Sequence, residues 1–66
     1  MLIKVHSASN NYVHLWNYEA FKEKHNAKTK SWDTNGNLIN SIIYDVQGDI
    51  DMEFTKSLGL KCDYIT

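Results

Sequence analysis

Two histidines, His6 and His14, lie eight residues apart in the stretch VHSASNNYVH and are the first residues whose type and spacing suggest chemistry. If residues 5–14 form a β-hairpin, the two side chains become diagonal neighbours on one face, with backbones about 7–8 Å apart. Two imidazoles at that separation can share a metal ion or contribute to a pH-sensitive contact surface. The stretch therefore raises three alternatives: a metal site, a binding surface, or two histidines without a role.

A metal site at these histidines would lack further ligands. Zinc in proteins takes four protein ligands, or three and a water molecule. The other candidate ligands, His25 and Cys62, match no zinc-finger or zinc-ribbon spacing. Lys4 would lie beside the histidine pair in the same hairpin and would repel a cation. We therefore predict that the protein binds no metal and no other cofactor.

Groups for catalysis are also incomplete in this sequence. Nucleophilic catalysis needs a serine or cysteine with a base within reach and a third group that orients the base. Cys62 stands beside Asp63 with no neighbouring residue that would lower its pKa, so we expect a buried structural thiol. A group of acidic residues could hold magnesium, but a turn and a helix N-terminus explain it better. These acids are Asp45, Asp49, Asp51 and Glu53. The sequence thus predicts a protein that is not an enzyme.

Tyrosine and tryptophan are more numerous than so small a core can enclose. The chain has four tyrosines and two tryptophans: Tyr12, Trp16, Tyr18, Trp32, Tyr44 and Tyr64. These residue types are the ones that anchor protein interfaces. Trp16 could instead pack onto the helix that follows it, and Trp32 could pack against Leu38 across a hairpin. The aromatic residues near the N-terminus are therefore either covered by a helix or part of a contact surface.

The elements that would position these residues begin with residues 2–6 and 12–16, in which apolar and polar side chains alternate. This alternation indicates strands, and pairing the two segments across residues 8–10 predicts a hairpin at about residues 2–16. Asn10 would take the left-handed conformation that such a loop requires. One face of the hairpin would be apolar and belong to the core: Ile3, Val5, Val13 and Leu15. The other face would carry Leu2, Lys4, His6, Tyr12, His14 and Trp16.

A short helix and a second hairpin follow. Asn17 can cap a helix at about residues 18–26, and Asn26 can end it in the left-handed conformation. The segment DTNG then places Gly36 at a turn position that needs a positive φ. We therefore predict a second hairpin at about residues 29–46.

The segment GDIDMEFTKSLGLK alternates like a strand, but its charges favour a helix. As a strand, it would place Asp45 opposite Asp51, a pairing of like charges that costs stability. As a helix, it has Asp49 as its N-cap and a glycine to end it. We therefore predict a helix at about residues 50–58 and a last strand at residues 60–65.

Together these elements predict a small α+β domain: an antiparallel sheet built from two hairpins, with one or two short helices on one face. The 66 residues form a single domain, which buries only about 60% of the surface that the unfolded chain exposes. A single cysteine excludes an intrachain disulfide. The N-terminal residues form neither a secretory signal nor a membrane span, so we expect a cytoplasmic protein with no membrane partner.

The net charge of −1 is the sum of two unequal halves, because residues 1–32 carry +3 and residues 33–66 carry −4. All seven cations are lysines. Arginine supplies the planar fork that reads guanine and clamps phosphate, so its absence disfavours sequence-specific nucleic-acid recognition. Loose phosphate contact remains open to four lysines: Lys22, Lys24, Lys28 and Lys30.

These observations predict a small non-enzymatic module that binds another protein, or itself as a homodimer. Such a chain would act as a regulator or inhibitor of a larger protein, of the kind that phages and mobile elements encode. The predicted contact residues are Lys4, His6, Tyr12, His14, Trp16, Asp45, Asp49, Asp51 and Glu53. One alternative is a single-stranded nucleic-acid binder that stacks bases on the aromatic face. The second alternative is a metal-dependent small domain.

Overall fold

The computed structural model of the chain describes residues 1–9 and 11–65 and shows a four-stranded antiparallel sheet with two short helices. In chain order the elements are β1 (Leu2–Ser7), α1 (Leu15–Lys24), β2 (Lys28–Asn35), β3 (Leu38–Asp45), α2 (Met52–Ser57) and β4 (Leu60–Tyr64). The strands lie in the order β2-β3-β1-β4. The predicted α+β class is therefore confirmed. Asn10, for which the sequence predicts a left-handed conformation, lies outside the described residues.

The prediction of a first hairpin at residues 2–16 is wrong. β1 is a central strand, and Val5 lies opposite Ile42 of β3 on one side and Cys62 of β4 on the other. Residues 12–14 are not part of a strand, and α1 begins at Leu15. Two partner strands cover the β1 backbone on both sides, whereas an isolated two-stranded hairpin has marginal stability in water.

The core lies between the helices and one face of the sheet, here called the helix face. Alternate residues of the strands point to this face, and two side chains of α1 meet them from above. The core residues are Ile3, Val5, Val13, Tyr18, Phe21, Ala27, Ile42, Tyr44, Val46 and Leu60. Leu15, which the predicted hairpin would place in the core, is instead 47% exposed. Within residues 1–9 and 11–65, no helix has the length and apolar character needed to cross a membrane.

Two buried tyrosines connect α1 to the sheet. The Tyr44 hydroxyl donates a hydrogen bond to the Tyr18 carbonyl oxygen at 3.2 Å. The Tyr44 ring also lies 5.6 Å from the ring of Phe21, measured between centroids. Burial raises the pKa of both tyrosine hydroxyls, because a phenolate would lose its hydration in this environment.

The first helix begins earlier than the sequence predicts. Its N-cap is His14, whose backbone is extended but whose side chain forms no capping bond within the described part of the chain. Asn17, the predicted cap, donates its side-chain amide to the carbonyl oxygen of Leu58 at 3.3 Å. The start of α1 is thereby joined to the connection between α2 and β4. Asn26 has a φ of 49°, so its predicted left-handed conformation after the helix is confirmed.

The second hairpin is confirmed as β2 and β3, joined by a turn in which Gly36 has a φ of 66°. The pairing is interrupted by two irregularities, between Thr29 and Ser31 and between Asp33 and Thr34. Trp32 lies opposite Ile42 and not opposite Leu38. β2 forms one edge of the sheet, and the Trp32 side chain is 65% exposed.

The last third of the chain contains the predicted helix and strand, with a different N-cap. Asp51, and not Asp49, caps α2: its Oδ1 accepts a hydrogen bond from the Phe54 amide at 3.0 Å. Gly59 has a φ of 74° and separates α2 from β4. β4 then pairs with β1 and forms the second edge of the sheet.

Candidate functional site

Three exposed rings lie in contact with one another where the loop after β1 meets α1. The His14 ring is parallel to the Trp16 ring, with an interplanar angle of 10° and centroids 4.2 Å apart. The Tyr12 ring meets the His14 ring edge-on at 5.0 Å. Tyr12 is 50% exposed and Trp16 is 66% exposed. We call these three residues the aromatic cluster.

The local backbone explains why the three rings share one side. His14 has an extended backbone, and exposure alternates along residues 12–14: Tyr12 and His14 are exposed, whereas Val13 is buried in the core. The chain then enters α1, and the Asn17 amide donates to the His14 carbonyl oxygen at 3.0 Å. This first turn places Trp16 against His14. The buried Val13 side chain fixes the backbone between Tyr12 and His14, and the first turn of α1 fixes Trp16.

Along α1, the residues next to the aromatic cluster are apolar and acidic, whereas Lys61 of β4 lines the same cleft as Tyr12. Leu15, the first residue of α1, adds a half-exposed aliphatic side chain next to Trp16 in the chain. Glu19 follows Trp16 by three residues and therefore lies on the same side of α1. The two lysines of α1, Lys22 and Lys24, are in its last turn.

His6 lies apart from the aromatic cluster, on the sheet face opposite the helices, here called the outer face. Its Nδ1 is 2.9 Å from the Ser7 carbonyl oxygen, and its Nε2 is 2.9 Å from Asp63 Oδ2. Both partners are acceptors, so both bonds form together only when the ring carries a proton on each nitrogen. Lys4 lies opposite Asp63 in the pairing of β1 with β4. The outer face thus contains a salt bridge of His6 and Asp63 with a lysine beside it.

One open cleft connects the outer face to the aromatic cluster. It has a volume of about 540 Å³, and both His6 and Tyr12 line it, together with Asn35 and Leu38 from the second hairpin. A second, more open depression on the outer face contains Lys4 and Asp63. The structure therefore brings His6 and Tyr12 to one cleft, although the hairpin that the sequence predicts for them does not form.

The four predicted acidic contact residues belong to different elements of the fold. Asp45 lies at the end of β3, and its Oδ1 forms an ion pair with the N-terminal amine at 3.1 Å. Asp51 caps α2, and Glu53 lies in the first turn of that helix. Asp49 is exposed in the connection before α2. At least two of the four therefore have structural partners of their own.

His25 is a connecting residue whose role the sequence does not reveal. Its Nδ1 donates to the Phe21 carbonyl oxygen at 2.9 Å, and its Nε2 accepts from the Asp51 amide at 2.9 Å. This pattern requires the neutral ring with its proton on Nδ1. The ring also lies 4.2 Å from the Phe21 ring. Its position in the apolar stripe of the predicted helix indicates packing, but not the bond to an amide 26 residues away.

Cys62 lies half-buried on the helix face. Burial raises the pKa of its thiol, with a hydrogen bond from Thr55 acting in the opposite direction. A protonated, partly covered thiol is a poor nucleophile. Among residues 1–9 and 11–65, no three histidine, cysteine or carboxylate side chains lie close enough together to hold a metal ion.

No protein-family model matches this chain, and no curated protein or solved structure is similar to it. The geometry of the described residues is therefore the basis for the function proposed next.

Proposed function

We propose that this protein is a protein-binding module that contacts its partner through the aromatic cluster of Tyr12, His14 and Trp16. The observation that supports the proposal most directly is the contact among three exposed rings. The His14 and Trp16 ring centroids are 4.2 Å apart, and the Tyr12 and His14 ring centroids are 5.0 Å apart. Tryptophan and tyrosine are the residue types that most often dominate binding energy at protein interfaces. A binding module of this size would act as a regulator or inhibitor by occupying a surface of a larger protein.

The rigid support of the cluster favours binding. Val13 is buried directly between Tyr12 and His14 in the chain, and Trp16 belongs to a helix. Side chains that are already ordered lose little conformational entropy when a partner binds, so more of the contact energy appears as affinity. The polar edges of the rings can also donate and accept hydrogen bonds, which suits a surface that is exposed to water before binding.

The charges near the cluster favour a protein over a nucleic acid. Stacking of bases on exposed rings requires cationic residues along the same path to contact the phosphates. Glu19 lies on the side of α1 that carries Trp16, whereas Lys22 and Lys24 lie in the last turn. Lys24 is also 4.0 Å from Asp51 and lies over the Phe54 ring. A phosphate chain that ran from the cluster along α1 would therefore meet Glu19 before it met either lysine of that helix.

The test compares two tryptophans of equal exposure. The wild-type protein, the Trp16→Ala variant and the Trp32→Ala variant are immobilised, and the proteins that each one captures are quantified by mass spectrometry. Trp32 is 65% exposed, as Trp16 is at 66%, but it lies on the edge strand β2 outside the cluster. A partner of the aromatic cluster is captured by the wild type and by Trp32→Ala and is lost with Trp16→Ala.

Titration with the purified partner then gives the magnitude. An aromatic residue at the centre of an interface contributes about 2 kcal/mol or more, so Trp16→Ala should raise Kd about 30-fold or more. Equal capture by all three proteins would contradict the proposal. A salt-sensitive quenching of tryptophan fluorescence by an oligonucleotide, lost in Trp16→Ala, would instead support the nucleic-acid alternative.

A further inference from the structure

The free edge of β4 has a defined set of outward-facing backbone groups. The Ile65 amide donates to the Leu2 carbonyl oxygen, and the Ala8 amide donates to the Gly59 carbonyl oxygen, both at 2.9 Å. The backbone groups of residues 59, 61, 63 and 65 therefore face β1. In an antiparallel ladder the intervening residues face the other way. These residues are Leu60, Cys62 and Tyr64, and β4 is the last strand of the sheet, so their amides and carbonyls point to its open edge.

The side chains of β4 alternate between the two faces in the same register. Lys61 and Asp63 lie on the outer face, opposite His6 and Lys4 of β1. Cys62 lies on the helix face, opposite Val5. Both charged side chains are exposed, and the Tyr64 side chain is 62% exposed. The open edge therefore carries one cation and one anion, on the same face and two residues apart.

We propose that β4 pairs antiparallel with β4 of a second copy of the chain, centred on Cys62, so that two sheets join into one continuous sheet. In this register Lys61 of each copy lies opposite Asp63 of the other. Leu60 of each copy lies opposite Tyr64 of the other. Every residue whose backbone groups face the open edge then lies opposite such a residue of the other copy. Each of these opposed pairs of residues forms two reciprocal backbone hydrogen bonds.

Charge complementarity selects this register over its neighbours. Outward-facing residues can also be matched when the pairing is centred on Lys61 or on Asp63. A centre at Lys61 places two lysines opposite each other, and a centre at Asp63 places two aspartates opposite each other, which destabilises a strand pair. Both shifted registers also match fewer outward-facing residues. The hydrogen bond between His6 and Asp63 uses only Oδ2 of the carboxylate, and the Asp63 side chain is 62% exposed.

The other edge of the sheet lacks these properties. β2 contains a register irregularity between Thr29 and Ser31, and it carries Lys28 and Lys30. Bulges and lysines on an edge strand oppose pairing with another chain. The pairing of β4 with β1 runs without such an irregularity. The second copy therefore fits the β4 edge better than the β2 edge.

The β4 edge contains none of the three residues of the aromatic cluster, although Lys61 and Tyr12 line the same cleft. The two proposals are therefore separated by their readouts, which are dimerisation here and partner capture by Trp16→Ala for the aromatic cluster. The first experiment measures molar mass by sedimentation as a function of protein concentration. The wild type should form a dimer, and Lys61→Glu should raise the dimer Kd about tenfold or more, because two attractive cross-strand pairs become repulsive. Lys61 forms none of the ion pairs among the described residues, so this variant keeps the monomer intact. The control is Lys28→Glu on β2, which should dimerise as the wild type does. Because this variant places a glutamate opposite Asp45, its fold is checked by circular dichroism.

A mixing experiment identifies the register. Asp63→Lys alone should also weaken the dimer, because it places lysines opposite each other. An equimolar mixture of Lys61→Glu and Asp63→Lys restores opposite charges at both positions and should dimerise again. Asp63→Lys removes the partner of His6, so its helix and sheet content is checked by circular dichroism. Weakening by each single variant together with recovery in the mixture is expected if residues 61 and 63 face each other across the interface. In a register centred on residue 61, Asp63→Lys alone would leave the dimer unchanged, and in a register centred on residue 63, Lys61→Glu alone would do so.

A backbone variant tests the strand pairing itself. Tyr64→Pro removes an amide that points to the open edge, which an unpaired edge strand tolerates. It should therefore weaken the dimer more than Tyr64→Ala while leaving the monomer folded. A wild-type chain that stays monomeric at millimolar concentration would overturn the proposal. So would a dimer that Lys61→Glu leaves unchanged, or one that Lys28→Glu disrupts instead.

Discussion

Replacing His25 by alanine tests whether α1 and α2 are held together through one imidazole ring. The variant loses the bond from Nδ1 to the Phe21 carbonyl oxygen and the bond from the Asp51 amide to Nε2. Net hydrogen bonds contribute about 1 kcal/mol each, but the Asp51 amide is exposed and water can replace its partner. The contact of the ring with Phe21, at 4.2 Å, adds about 0.5–1.5 kcal/mol. We therefore expect a loss of about 2 kcal/mol, which lowers Tm by about 10 °C in a domain of this size.

The assay combines thermal unfolding, followed by circular dichroism, with amide hydrogen exchange at Asp51 and Phe54. Exchange at both amides should accelerate, because the Asp51 backbone is no longer held against α1 and its side chain caps α2. The control is Lys30→Ala, which truncates an exposed side chain on the edge strand β2. A His25→Ala variant that melts within about 2 °C of this control, with unchanged exchange at Asp51, would refute the reasoning.

Other predictions concern the buried tyrosines, the thiol and a turn. Folding raises the pKa of Tyr18 and Tyr44, so their contribution to stability is complete below about pH 10 and falls as the pH rises further. Absorbance at 295 nm should therefore show that these two tyrosines ionise only at the pH at which circular dichroism reports unfolding. Cys62, whose pKa is raised by burial, should react with iodoacetamide about tenfold more slowly in the native protein than in urea at the same pH. Gly59→Ala should cost about 1 kcal/mol in a denaturant titration, because its φ is 74° while a Cβ there would meet no atom within 4 Å. A Tm unchanged by that substitution would show that the positive φ is not required.

Asp63 has a part in both the fold and the proposed dimer. Within one copy it accepts from His6 and lies opposite Lys4. In the proposed β4 pairing it also faces Lys61 of the second copy. Asp63 would then have the His6 imidazole and two lysines as neighbours, so dimerisation would add an ion pair without breaking one. We therefore expect the His6 imidazole resonances in the dimer to resemble those in the monomeric Tyr64→Pro variant, which leaves Lys61 and Asp63 in place beside His6.

Local signals in the sequence predicted the second hairpin and the end of the chain correctly. The turn around Gly36 requires a positive φ, and glycine is the residue that adopts it without strain. Asn26 ends α1 and Gly59 separates α2 from β4 for the same reason. The helix prediction for α2 depended on the repulsion between Asp45 and Asp51 in a strand, an argument about immediate neighbours. Each of these features is decided within a few residues.

The sequence predicted that three residues of the candidate site lie on the same side, but it predicted the wrong secondary structure for them. Tyr12, His14 and Trp16 do share one side, but they stand on an extended segment and the first turn of a helix, not on a strand paired with β1. The predicted alternation of exposed and buried residues at 12–14 is confirmed, since Val13 is in the core. An alternating pattern of polar and apolar residues does not indicate which other segment pairs with the strand. Lys4 and His6 therefore lie on the outer face instead of beside the cluster.

By itself, the sequence determined the α+β class, the positions of the turns, and which residues of each strand are apolar. These properties follow from backbone conformations and side-chain periodicities that act over short distances. Only the tertiary structure decided that β1 pairs with β3 and β4, that His25 joins the helices, and that Asp63 meets His6. Such contacts connect residues far apart in the chain, and many pairings satisfy the same local pattern. One of these pairings is selected because it buries Ile3 and Val5 completely, on a strand that has a partner on each side.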